Sequence, residues 1–171
     1  MAIREIVSHP NPVLKRKARK VTEFGSDLQT LIDDMVETMR VAPGVGLAAP
    51  QVGISQRLVV VEYGDDEDEN VKPRLYTLVN PEIVRYSTEK EMGVEACLSI
   101  PKLAGNVERS LEVTVKALNR HGQPTKVKAK GWLARIFQHE IDHLDGVLFI
   151  DRTGDIWKVE EEKPAQVAPV N

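Results

Sequence analysis

The chain of 171 residues carries a single cysteine, Cys97. An intramolecular disulfide is therefore impossible, and a reducing compartment is expected. Aromatic residues are scarce at 5 %, which argues against a base-stacking platform for single-stranded nucleic acid. There is no strongly basic tract, and the formal net charge is −3. Nothing in the linear pattern asks for direct nucleic-acid specificity or for an anionic membrane. No stretch approaches the roughly 18 apolar residues of a membrane span. The opening "MAIREIVSHP" is charged at Arg4 and Glu5 and lacks the apolar run of a secretory signal. The expectation is a soluble cytoplasmic protein, or a mature organellar one freed of its transit peptide.

What is present is ordinary for a globular protein: 42 % hydrophobic and 29 % charged residues. The length suits one domain with a sizeable core. That domain is expected over residues 1–155, and the acidic, proline-containing end, 156–171, is expected to be frayed. Pro10 and Pro12 punctuate an irregular start, and "VLKRKARKV" reads as a solvated basic face. "SDLQTLIDDMVETMR" predicts a helix capped at Ser26 or Asp27, with Leu28, Leu31, Ile32, Met35 and Met39 as its buried stripe. "RLVVVE" (57–62) predicts a buried strand. The acidic "YGDDEDENVKP" lacks the ligand spacing of a calcium loop and reads as a solvated hairpin tip. "RLYTLVNPEIVRYS" predicts one or two short strands broken at Asn80-Pro81. "LEVTVKAL" and "TKVKAK" alternate about the turn "NRHGQP" and predict a hairpin. "GWLARIFQHEIDHLDG" is apolar nearly all round and predicts a buried helix stopped at Gly146, with "VLFID" as a following strand. Strands and helices do not alternate regularly. The fold class is α+β, mainly antiparallel sheets around a central buried helix.

That last helix carries His139, Glu140 and His143. Residues four apart share a helical face, so the two histidines can hold one metal ion with the glutamate beside it as an acid or base. Burying these groups unpartnered costs several kcal/mol, on the order of what buried polar groups cost generally. A catalytic site of this kind takes three protein ligands, so a third is sought. One metalloprotease pattern places a histidine six residues after the second one, but that position is Phe149 here. Glu160, Glu161 and Glu162 stand in a polar tail. His121 sits in a turn, and His9 is the remaining histidine. Cys97, in "GVEACLSIP", is left as the candidate. A thiolate with two imidazoles suits zinc, iron(II), nickel or cobalt, and the metal would hold the sulfur deprotonated.

Three separated motifs now carry a resemblance: "GVGLAAPQ" (44–51), "EACLS" (95–99) and "QHEIDH" (138–143). Together, in this order, with "VNP" before the second and "GVLFID" after the third, they resemble peptide deformylase over roughly residues 5–151. The resemblance implies a single α+β domain that removes the N-formyl group from the N-terminal methionine of nascent proteins, releasing formate. It implies Cys97, His139 and His143 as metal ligands, with iron(II) the usual physiological metal. It implies Glu140 as proton carrier, and the Gln51 side-chain amide with the Leu98 backbone N–H as donors to the oxyanion. Gly44 and Gly46 would let the loop approach a peptide, and Val45 would pair with it in a strand-like manner. Val45, Trp132, the Arg135 stem and Ile136 are expected to line an apolar pocket for the methionine side chain.

Two departures stand out. Ala96 replaces the usual glycine of the second motif and is tolerable if its φ is negative. The tail is acidic, which is unlike the basic C-terminal helix with which some members dock on the ribosome. N-formylmethionyl peptides are the implied partners, with transient ribosome association as a further expectation. Glu95 and Arg109 are expected to pair and steady the cysteine segment. The competing readings are a zinc peptidase, opposed by Phe149, and a structural metal module, which would need a fourth ligand.

Overall fold

The computed structural model describes residues 2–159. Its elements are helix α1 (Ser26–Val41), strands β1 (Gly46–Ala48), β2 (Leu58–Tyr63), β3 (Arg74–Tyr86), β4 (Lys90–Cys97), β5 (Ile100–Ser110), β6 (Glu112–Leu118) and β7 (Pro124–Lys130), helix α2 (Gly131–Leu144), and strand β8 (Ile156–Lys158). One sheet has the order β1-β2-β3-β6-β7 and the other β4-β5-β8. Every strand pairing within them is antiparallel.

The continuous apolar run Leu58–Val61 serves two cores at once. Side chains alternate across a strand, so Leu58 and Val60 join the α1 stripe while Val59 and Val61 join the α2 side. The α1 residues Leu28, Leu31, Ile32, Met35 and Met39 are all buried there, as their spacing predicts. On the opposite face, Ala134, Ile136, Phe137, Ile141 and Leu144 of α2 meet Val113, Val115 and Leu78. The polar side of α2 turns towards the second sheet, where Gln138 donates to the Ser110 carbonyl at 2.9 Å and accepts from its N–H at 3.1 Å. Helix α2 therefore sits between the sheets, central and buried as expected. Among the described residues, no helix is long and apolar enough to cross a membrane.

Four local expectations need correction. Helix α1 begins at Ser26 with Gly25 as its N-cap and no side-chain cap. "VLFID" is not a strand: Phe149–Asp151 form a 3-10 turn, because Asp151 folds back to accept from the Leu148 N–H at 2.8 Å. Asn80-Pro81 does not break the β3 strand. It makes a register shift between Val79 and Glu82, with Asn80 at φ 52°. The Asn80 side chain holds both backbone groups of Val21 at 2.8 and 2.9 Å. Finally, residues 156–158, expected to be frayed, pair with Leu103–Gly105 as an edge strand. The Val159 N–H donates to the Lys102 carbonyl at 2.9 Å, and residues 160–171 of the expected frayed segment, the three glutamates 160–162 included, lie outside the described residues.

The acidic loop after β2 is more than a solvated tip. Tyr63 donates to Asp66, which also accepts from the Trp132 N–H at 3.0 Å. Helix α2 has no cap from its own Lys130, so a carboxylate from a distant loop covers its positive N-terminal end.

Candidate metal centre

Strand β4 delivers Cys97 at its last position, where a tight turn through Leu98 and Ser99 leads into β5. Helix α2 delivers His139 and His143 from adjacent turns, their ring centroids 5.2 Å apart. One ligand atom from each of Cys97, His139 and His143 lies within 4.8 Å of the others, and all three residues are buried. The Cys97 Sγ is 3.4 Å from His143 Nε2. His139 Nδ1 is engaged by Glu95 Oε1 at 2.9 Å, which leaves Nε2 as the ring's second polar atom. That Nε2 is buried with no protein partner, as are both oxygens of Glu140. Orphaned buried polar atoms are costly, and a thiolate–imidazole donor set is the chemistry of a borderline divalent metal. The residues therefore fit a metal ion, with three protein ligands among the described residues.

Electrostatics agree with this chemistry. Burial pushes the Cys97 thiol well above its ordinary range, and the nearby Glu140 charge adds to this against backbone hydrogen bonds at Ser99 and Ile100. Burial holds His143 neutral well below its ordinary range, helped by His139 and Arg109. Burial also raises Glu140 well above the usual carboxylate range, with the Glu95 charge adding to it. A bound cation favours the thiolate, the neutral imidazole and the carboxylate alike.

Glu140 fits only because residue 46 is glycine. A Cβ at Gly46 would lie 2.6 Å from Glu140 Oε2 and 2.8 Å from its Cγ. The missing side chain makes room for the carboxylate at β1, a use of Gly46 that the motif did not reveal. Gln51 follows β1 in a short 3-10 turn and is fully buried. Its Oε1 accepts from the Ala48 N–H at 3.0 Å, while its Nε2 faces Ser99 Oγ at 3.2 Å and Cys97 Sγ at 3.5 Å. The N-terminal arm ties this turn to the cysteine turn: the Val7 N–H donates to the Gln51 carbonyl and the His9 N–H to the Ser99 carbonyl, at 2.8 and 2.7 Å. Ala96 lies in β4 and is not among the positive-φ residues, which outside glycine are Asn80 and Lys102 in the described chain.

Around His139 stands a buried ion network of which the sequence suggested only one pair. Arg109 binds both oxygens of Glu95 at 2.9 and 2.8 Å and reaches Asp142 at 2.6 Å. Arg135 adds a second cation to Glu95 at 2.7 Å, and Arg152 grips Asp142 from outside at 2.7 and 2.8 Å. Arg135, Gln138, His139 and Asp142 follow the spacing i, i+3, i+4, i+7. That polar stripe in an apolar helix was the available signal for the residues the motif reading missed. The Arg135 guanidinium is thus held at Glu95 and at the Val107 and Glu91 carbonyls. It fills the space beside Gly93, where a Cβ would come within 2.6 Å of its Cζ. Ile136 is fully buried in the α2 core, and Val45 and Trp132 pack at its border. Phe149 stacks on His139 at 6.3 Å and 21°, a wall for the ligand ring.

Glu95 should make stability depend on acid. Burial would raise its pKa, but the bonds from Arg109 and His139 outweigh burial and hold it well below the usual range. A depressed folded-state pKa gives stability that is complete above the unfolded value of about 4.3 and is lost as the pH falls below it. In chelator-stripped protein at pH 7, E95Q should be less stable by roughly 3–5 kcal/mol, because Arg135 is left buried without its charge partner and Arg109 keeps only Asp142. Urea titrations should show that gap closing as the pH drops below about 4. A gap that persists unchanged would refute the ionic account.

Comparison with known proteins places this geometry. The family model described as "Polypeptide deformylase" matches residues 3–158. A "Peptide deformylase" of Natranaerobius thermophilus is 51 % identical over 161 residues, 94 % of this chain and 99 % of that protein. "Peptide deformylase 1" of Bacillus subtilis is 47 % identical over 161 residues, 94 % of this chain and 96 % of its own length. Among solved structures, the peptide deformylase of Thermotoga maritima superposes with a TM-score of 0.82 at 42 % identity, covering 90 % of this chain and 99 % of that one. The Ehrlichia chaffeensis enzyme in complex with actinonin gives a TM-score of 0.84 at 36 % identity, with 90 % of each chain covered.

Proposed function

The chain belongs to the polypeptide deformylase family, and from that membership we propose that Cys97, His139 and His143 hold its metal ion while Glu140 carries the proton of the reaction. It is a hydrolase that removes the N-formyl group from nascent polypeptides. The observation that carries the residue assignment is Glu140 itself: a buried carboxyl with no protein partner on either oxygen, beside three convergent ligands.

When bound, the divalent metal supplies a Lewis acid and lowers the pKa of water towards neutrality. Glu140 takes the proton of the attacking water at one carboxylate oxygen. As the formyl C–N bond breaks, it returns that proton to the departing nitrogen, so formate and a free amine leave. Its raised pKa suits a group that must both accept and donate. Gln51 Nε2 and the Leu98 N–H are assigned to the oxyanion, as donors fixed before substrate arrives. Strand β1 is the edge of its sheet, which suits strand-like pairing of a peptide along Gly44, Val45 and Gly46. Val45, Trp132, the Arg135 stem and Ile136 are assigned to the methionine side chain. The catalytic domain, read from the sequence as 1–155, is taken to include β8.

We assign iron(II) as the native metal, with zinc, nickel or cobalt able to replace it at the same three ligands. The bacterial cytoplasm, with transient contact to the ribosome, is the proposed place of action. Formate release from formyl-Met-Ala-Ser tests the reading. A chelator should abolish release, and anaerobic iron(II) or nickel(II) should restore it. Formate that never appears after reconstitution would end the proposal. Loss of activity in air supports iron, and indifference to oxygen supports zinc or nickel.

A further inference from the structure

Five cations gather on the outer face of the β3–β6–β7 sheet. Lys116 of β6 pairs in register with Lys126 of β7. Lys128 stands opposite Thr114, and Thr114 stands opposite Arg85 of β3. Lys130 closes the row opposite Glu112. Val113, Val115, Val127 and Ala129, at the alternate positions, point the other way into the core. Arg85, Lys116, Lys126, Lys128 and Lys130 are all exposed. Among the described residues, none of the five has a carboxylate within ion-pair distance. Arg40, Arg57, Arg109, Arg120 and Arg152 elsewhere are each paired. The only acidic members of these registers on the face are Glu82 and Glu112.

Like charges directly opposite one another on adjacent strands are destabilising; Lys116 faces Lys126 on β7 but also Glu82 on β3, and Lys130 faces Glu112, so acids balance the row only in part. Lysines on an edge strand do deter sheet-to-sheet aggregation. That role asks for charge on β7, not for a second row on interior strands β6 and β3. Five cations against the two acids leave the face positive, and a concentrated positive surface favours a polyanionic partner. Between Arg85, Thr114, Lys128 and Lys130 the surface forms a shallow cavity of about 360 Å³, whose lining also includes Ser87 and the acidic Glu112. Strands β6 and β7, the centre of the face, contribute none of the exposed large apolar side chains among the described residues, while β3 contributes Val84 and Tyr86 on either side of Arg85. A membrane-surface site or a protein–protein interface would want an apolar centre. Nor do aromatics lie on β6 or β7 to stack bases. What remains is recognition of a regular array of phosphates.

We propose that the Arg85–Lys116–Lys126–Lys128–Lys130 face binds the phosphate backbone of RNA, without sequence preference, and so docks the enzyme near its substrate. It deepens the reading of a nascent-chain deformylase by assigning the docking surface, and it does not involve the metal or Glu140. Nothing in the linear sequence asked for such a partner, because the cations are spread over three strands.

A short labelled RNA duplex, followed by fluorescence anisotropy from roughly 50 to 200 mM salt, tests it. Wild-type metal-loaded enzyme should bind, with an affinity that falls steeply with salt. K116Q/K126Q/K128Q should bind about tenfold or more weakly, with a salt slope shallower by roughly 0.7–0.9 for each lysine removed. Its melting temperature should not fall, and formate release from free formyl-Met-Ala-Ser should match wild type. The single variants K126Q and K128Q should each show part of the loss. K17Q/K20Q/K72Q, with the same net charge change at other exposed lysines, should keep RNA affinity. No RNA binding by wild type at low salt would overturn the proposal. So would equal weakening by the control triple, which would mean net charge alone. Preferential capture by phosphatidylglycerol vesicles over RNA would also overturn it. Because formate release is measured separately, failure here leaves the deformylase reading standing.

Discussion

Glu140→Gln is expected to lower formate release by roughly 10²–10⁴-fold, the range for loss of a general acid–base group, while metal content stays at the wild-type level. Gln has the shape of Glu but cannot shuttle a proton. The assignment rests on position. Glu140 lies beside ligand His139, is fully buried, and occupies the space that Gly46 leaves open. It makes no hydrogen bond to the protein, so the fold does not need it. A buried charge without a partner is destabilising, and the E140Q melting temperature should equal or exceed that of wild type. This combination separates a catalytic role from a structural one. A structural carboxylate would lose stability when replaced, and a metal ligand would lose the metal. Elemental analysis and formate release on the same sample read both. Turnover within tenfold of wild type would refute the proton role.

Cys97→Ala should remove the metal. The two histidines that remain share one helix face, and the thiolate is the only anionic ligand in the cluster. Losing a neighbour of a metal ligand typically costs 10–100-fold in affinity, so losing the ligand itself should cost at least ~100-fold. Activity should disappear with the metal. The fold should survive, because the change deletes one small buried atom at the end of β4, worth on the order of 1 kcal/mol by analogy with small core truncations. Competition with a chelator measures the first effect and urea titration the second. Retention of stoichiometric metal by C97A would show that another residue completes the site. Failure to fold would show that the cysteine turn is needed to hold β4 and β5 together, a job now assigned to their own antiparallel ladder.

The pairing of His139 and His143 on one helix face, Glu140 beside them, and the fold class were readable in the chain. Each follows from a local rule: helical spacing puts His139 and His143 on one face, and apolar periodicity marks α1 and α2 as buried helices. The same rules failed at β4 and β5. The inward positions of β4 carry Glu95 and Cys97, both buried, so the strand that serves the site shows no apolar alternation. The reading of 147–151 as a strand failed because a side chain, Asp151, competes for the backbone.

Tertiary structure alone decided three things. It converted Glu95–Arg109 from a suspected pair into a network of two carboxylates and three arginines behind His139. It made Gly46 the space for Glu140 instead of only a point of peptide approach. It also set lysines from two strands, and an arginine from a third, on one surface. All three depend on contacts between residues far apart in the chain. Sequence periodicity reports which face of an element is buried, but not which groups from other elements meet it there.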